Sequence, residues 1–249
     1  MTQAGSALLL GADRALYQGE LPTTSWHRHA SPVLLLGLSG RFALQWRHGP
    51  EVQQHSCHSA LVAAGVDHVL DPAGESVAAI YLEPDSAEAR SLRGHFNAQG
   101  EVMFDVAHPV RTRAHTDTRL SSFDLPALLT LACPPATLVD ARVARSLQRL
   151  RHPATAAWRR TALAASVHLS ASRFNHLFSS EMGVSFRSYR VWSQVRAAVA
   201  ALGSNPTLTR AALDAGFADS AHFSRMFRQA LGLTPSSVLR PLRKVTLLR

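Results

Sequence analysis

Asp219-Ser220-Ala221-His222-Phe223-Ser224-Arg225-Met226-Phe227 repeats, after a shift of 49 positions, the pattern of Ser170-Ala171-Ser172-Arg173-Phe174-Asn175-His176-Leu177-Phe178. Phe174 falls on Phe223, Leu177 on Met226, Phe178 on Phe227 and Gly183 on Gly232. Each copy then continues as glycine, an apolar residue, Ser or Thr, and Phe or Pro. In the second copy Phe223, Met226, Phe227 and Ala230 recur at i, i+3, i+4 and i+7, the single buried stripe of an amphipathic helix. Ser220, Ala221, Ser224, Arg225 and Arg228 fall on the other side. Asp219 is a suitable N-cap, and its charge favours the positive end of the helix dipole. Ala212–Phe217 supplies a preceding helix and a turn, where Gly216 can take the left-handed conformation. The first copy follows the same logic, with Ser170 as cap and Ala171, Ser172, Asn175, His176 and Ser179 facing out. Its turn, Val167-His168-Leu169, has no glycine, although His accepts positive φ better than β-branched residues do. Small outward side chains let a backbone approach closely, while Ser, Asn and Arg offer donors to base edges and phosphates, so the pair suits two stretches of DNA major groove.

Charge points the same way. Residues 1–137 hold nine Arg against thirteen Asp and Glu, a local charge of −4; residues 138–249 hold seventeen Arg and Lys against four acids, a local charge of +13. The overall +9 hides this split. A basic C-terminal half attracts a polyanion. A 46% apolar content fits a soluble chain with real cores. Val33–Leu38 is the longest apolar run and is far too short to span a bilayer. Met1–Ser6 carries no basic residue ahead of Leu8-Leu9-Leu10, so it makes a poor signal peptide. Cys57 and Cys133 make no disulfide framework. A cytoplasmic protein without a membrane partner is the expectation.

The fold class expected is α+β in two domains. Residues 1–110 read as short strands and turns: Val33–Leu38, Arg41–Arg47 with its alternation, Ser59–Ala63 and Ser76–Leu82, punctuated by Gly37, Gly40, Gly49-Pro50, Gly65 and Gly74. Many short strands predict a β-sandwich or barrel of the cupin-like jelly-roll type, followed by a short helix over Asp85–Arg93. Residues 111–137 read as a linker and candidate dimer surface, with a helix over Phe123–Ala132. Residues 138–249 predict seven helices: Ala141–Arg151 capped by Asp140, Trp158–Val167, Ser170–Met182, Ser185–Leu202, Thr209–Ala215, Asp219–Leu231 and Pro235–Leu239. The fourth of these, at about 27 Å, could hold two reading heads near the ~34 Å spacing of successive groove segments.

Residues 138–240 resemble the DNA-binding domain of AraC/XylS-type transcription regulators. The resemblance is carried by Ala215-Gly216-Phe217-Ala218-Asp219-Ser220-Ala221-His222-Phe223-Ser224-Arg225-Met226-Phe227-Arg228 and by Gly232-Leu233-Thr234-Pro235-Ser236. It implies two helix-turn-helix units on double-stranded DNA. Ser172, Asn175 and His176 fall where the first recognition helix of that family reads bases, and Ser220, Ala221, Ser224 and Arg225 where the second does. Arg225 is the best single base-reader, because Arg binds guanine O6 and N7 in bidentate fashion. Arg173, Arg190 and Arg228 are assigned to phosphate. His176 stands where the family often has Arg or Lys. By analogy the N-terminal domain senses a small effector, which the sequence does not name, and dimerises; RNA polymerase is a further partner class.

Trp26-His27-Arg28-His29 presents a His-x-His pair, and Ala63–His68 resembles the second cupin motif with Ala63 in place of proline. His27, His29 and His68 are therefore candidate ligands for Zn, Fe, Ni or Cu. The carboxylate that a cupin supplies four to five residues after His29 is missing, since Val33, Leu34 and Leu35 stand there. The competing reading is a vestigial site without cofactor, whose histidines make hydrogen bonds or line an effector pocket. His55, Cys57 and His58 read as a polar turn. Three functions remain open: a non-enzymatic, sequence-specific transcription regulator; a metal-dependent cupin enzyme with a helical appendage; and a helical interaction module without a DNA role. The first alone uses both the duplicated unit and the +13 charge.

Overall fold

The computed structural model describes residues 6–107, 129, 136, 138–150, 160–203, 207–240, 242 and 244–247. In chain order the strands are β1 (Ala7–Leu10), β2 (Arg14–Glu20), β3 (Val33–Gly37), β4 (Phe42–His48), β5 (Glu51–Cys57), β6 (Ser59–Val62), β7 (His68–Asp71) and β8 (Ser76–Leu82). Helix α1 (Ala87–Gln99) and β9 (Val102–Phe104) follow. Then come α2 (Ala141–Leu150), α3 (Arg160–Ala165), α4 (Ala171–Met182), α5 (Phe186–Leu202), α6 (Leu208–Asp214), α7 (Ser220–Leu231), α8 (Pro235–Leu239) and β10 (Lys244–Leu247). A strand-rich N-terminal part and seven C-terminal helices among the described residues match the expected α+β class.

The strands form a seven-stranded sheet in the order β10-β1-β2-β8-β3-β6-β9 and a three-stranded sheet in the order β5-β4-β7. Pairing is antiparallel except between β1 and β10, which run parallel. The large sheet is covered on both faces, which explains the unbroken apolar run of β3. Val33 and Leu35 pack with Phe42, Leu44 and Leu70 of the small sheet. Leu34 and Leu36 turn the other way, toward Ala89 and Leu92 of α1. Successive strand residues point to opposite faces, so a strand buried on both sides loses its polar alternation. In β4, which has one buried face, Phe42 and Leu44 are buried and Ala43 and Gln45 are not.

Several expectations are corrected. Glu51–Cys57 is a strand paired along its length with β4 rather than a polar turn. Six of its seven residues are exposed and only Cys57 is buried, so neither face carries an apolar pattern that would announce a strand. The helix expected over Asp85–Arg93 runs on to Gln99, capped by the Ser86 side chain and stopped at Gly100, which has φ of 105°. The helix expected over Phe123–Ala132 lies mostly outside the described residues; Leu129 itself is held in an isolated bridge to Ala107. β10 returns the chain to the edge of the N-terminal sheet after the last helix.

The helical part packs its own core from Val143, Leu147, Leu163, Phe174, Phe178 and Trp192, among others. The core of α5 to α8 is continuous with that of the sheets: Val195, Val199, Phe227 and Val238 join Leu8, Leu10 and Tyr17 in one cluster.

Candidate functional site

Each helix-turn-helix unit is built by the same local devices. In the first, the N–H of Leu169 bonds to the Ala164 carbonyl and that of His168 to the Ala165 carbonyl; in the second, Phe217 bonds to Ala212 and Gly216 to Leu213. These are matched helix C-caps, closed by a left-handed residue. His168 has φ of 57° and Gly216 has φ of 85°, so histidine does take the role that glycine fills in the second copy. The two turns correspond at a shift of 48 and the recognition helices at 49, because Ala218 adds one residue to the second turn. The recognition helices then start and stop alike. Ser170 accepts from the Arg173 N–H and Asp219 from the His222 N–H. Gly183 and Gly232 close them, each with φ of 71°.

The inner faces are as read. Phe174, Phe178, Phe223 and Phe227 are fully buried, packed ring to ring at 5.6 Å within each helix. On the outer faces Ser172, Arg173, His176, Ala221, Arg225 and Arg228 are exposed, while Asn175, Ser220 and Ser224 are partly so. The Ser224 hydroxyl donates back to the Ser220 carbonyl at 2.8 Å, which leaves its oxygen free only to accept. Arg190 is less free than the other phosphate candidates: it is half-buried, and its Nε is enclosed without a hydrogen-bond partner. Between the units, α5 spans 17 residues, about 26 Å.

Behind α5 and α7 lie contacts that no local sequence pattern signals. Glu83, after β8, accepts from Trp192 Nε1 at 3.1 Å and is ion-paired to Arg196. Arg196 also donates to the Gly11 carbonyl. Burial raises the Glu83 carboxyl above its usual range, opposed by Arg196 and Trp192. Close by is an apolar cavity of about 70 Å³ lined by Leu10, Tyr17, Trp192, Val199, Phe227 and Leu239 among others.

The three histidines singled out by the cupin-like spacing do come together. His27 and His68 face each other in an isolated antiparallel bridge rather than in a long strand. Ring centroids lie 4.2 Å apart for His27 and His68, 5.0 Å for His29 and His68, and 5.8 Å for His27 and His29. One ring nitrogen from each lies within 4.8 Å of the others. Desolvation holds all three neutral: it lowers His27 and His68 below the usual imidazole range and takes His29 down to about 3. His55 and His58, on and just after β5, are exposed and apart from this cluster.

Residues 163–241 match the family described as a helix-turn-helix domain. No curated protein sequence matches the chain. Among solved structures the whole chain is similar to ToxT from Vibrio cholerae. An apo ToxT variant of strain SCE256 is 11% identical with a TM-score of 0.60, over 93% of this chain and 98% of that one. Wild-type ToxT of that strain bound to an unsaturated fatty acid is 12% identical with a TM-score of 0.58, over 94% and 96%. At such identity the likeness establishes the fold, and the family match together with the duplicated units establishes the helical half. The chain therefore carries, after a strand-rich β domain, a helix-turn-helix domain of the AraC/XylS type, and it is a DNA-binding transcription regulator.

Proposed function

We propose that α4 and α7 read successive major-groove segments of one operator. Ser172, Asn175 and His176 take the first segment and Ser220, Ala221, Ser224 and Arg225 the second. Arg173 and Arg228 contact phosphate; Arg190, being half-buried, makes the lesser contribution. The observation that carries this reading is the equal construction of the two units, down to the caps of both recognition helices. On this reading residues 1–110 sense, 111–137 link and 138–249 bind DNA, with β10 as the exception that ties the last segment back to the sensor sheet. A mobility-shift assay against a selected operator tests it: binding should weaken steeply with salt and depend on sequence.

The effector is proposed to be a small apolar acid entering between sheet and helices. ToxT has been crystallised with an unsaturated fatty acid, and here the apolar cavity has Arg196 in its lining. A cavity of about 70 Å³ is too small for such a molecule, which must part β1 and β2 from α5 and α8 to enter. Binding would then compete with the docking of the helical half, and through it alter DNA affinity. A homodimer, contact with RNA polymerase and a cytoplasmic location belong to the same reading. The enzyme alternative is disfavoured because His27, His29 and His68 are 5%, 3% and 2% exposed, so the cluster offers little open surface to a substrate.

A further inference from the structure

We infer that His27, His29 and His68 form a closed binding site for a divalent transition cation of the zinc class, placed so that its loading secures the second helix-turn-helix unit against the β domain. The inference stands apart from the DNA-reading proposal, since it requires no DNA.

Three features fit a metal rather than a hydrogen-bonded core. Every one of the three rings is anchored by Nδ1 on a backbone carbonyl: His27 on Ser25 at 2.9 Å, His29 on Ser31 at 2.5 Å and His68 on Val66 at 2.9 Å. A carbonyl only accepts, so each Nδ1 carries the proton and each Nε2 keeps its lone pair. This is the arrangement in which a backbone acceptor orients a ligating imidazole. Secondly, Nε2 of His29 is buried with no hydrogen-bond partner, a cost that a cation would remove. Thirdly, one ring nitrogen from each histidine lies within 4.8 Å of the others, so they need to close by at most about 1.4 Å to reach the ~3.4 Å separation of ligands around tetrahedral zinc. Asp67 adds a favourable negative field at His27. Imidazole-only ligation suits Zn, Cu or Ni rather than Mg or Ca, and three protein ligands leave one position for water.

The site lies at the seam of the two halves. Ser25, two residues before His27, donates both its N–H and its hydroxyl to the Gly232 carbonyl at 2.9 Å. Gly232 is the left-handed cap that ends α7. A Cβ on Gly232 would stand 2.5 Å from His27 Nδ1 and 2.7 Å from the Ser25 carbonyl. Fixing His27 on a cation therefore fixes the strip to which the end of the second recognition helix is bonded.

The test uses full-length protein stripped of metal by a chelator and titrated with Co²⁺, a coloured stand-in for Zn²⁺. One equivalent should bind with visible ligand-field bands, be displaced by Zn²⁺, and raise the melting temperature. His29→Gln and His68→Gln should each abolish stoichiometric uptake, while the His55→Ala/His58→Ala double variant should bind like the wild type. X-ray absorption on the zinc-loaded wild type should show imidazole nitrogens at about 2.0 Å, a readout that survives even if a histidine variant does not fold. Absence of stoichiometric uptake by the wild type, uptake undiminished in folded His29→Gln, or a first shell without imidazole would overturn the site. An unchanged melting temperature on loading would overturn its role at the seam.

Discussion

Arg196, on the helix that joins the two helix-turn-helix units, is ion-paired to Glu83, the residue that follows strand β8. The side chains are only 19% and 8% exposed, so each neutralises a charge that would otherwise be buried. Removing one partner of such a pair strands the other, at about 3–5 kcal/mol. Glu83→Ala should therefore lower urea stability by roughly that amount. The Glu83→Met/Arg196→Met pair, which buries no charge, should recover most of the loss. Equal destabilisation by single and double variants would remove the pair from the account.

Arg225→Ala should cost about 1–3 kcal/mol of discrimination at one base pair and relax preference there. Arg228→Ala should weaken binding to all sequences alike and reduce the salt slope by about one. A binding titration on operator and scrambled DNA at several salt concentrations separates them; interchanged behaviour of the two variants would refute the assignments.

The matched turns give a test of stability without DNA. A non-glycine residue in the left-handed region costs about 1–2 kcal/mol, so His168→Gly should raise unfolding free energy by about 1 kcal/mol and Gly216→Ala should lower it by a similar amount. Chemical denaturation decides the signs.

Cys57 is fully buried, and desolvation, helped by Asp105, pushes its thiol up to about 12. It should resist alkylation in the native protein at pH 8 and react on unfolding, measured in a Cys133→Ser background. The folded state holds this proton more tightly than the unfolded chain. Its contribution to stability is thus present below the ordinary thiol range and is lost as pH rises from about 9 toward 12. Cys57→Ala should flatten that alkaline decline; rapid native alkylation would contradict the burial.

What was legible in the sequence was local. Caps at Ser170 and Asp219, left-handed glycines at Gly183 and Gly232, and the phenylalanine stripes depend on neighbours within two turns, and the helices followed. The His27-x-His29 and His68 spacing also identified three residues that meet in space. β5 was hidden because a strand exposed on both faces has no pattern to read. β10 was hidden because its partner, β1, lies at the far end of the chain, with Ala7 opposite Lys244. Ser25 and Gly232 are 207 positions apart, and no local rule reports such a contact. The same holds for Glu83 with Trp192 and Arg196, which dock one half of the molecule on the other.

The two like units are proposed to read one duplex side by side. Measuring binding of the full-length protein to an operator mutated at every base pair in turn tests it most directly. Two windows of sensitivity should emerge, with centres about one helical turn, 10–10.5 base pairs, apart. Arg225→Ala should flatten one window and Asn175→Ala the other. A single window, or one that both variants flatten together, would contradict the account.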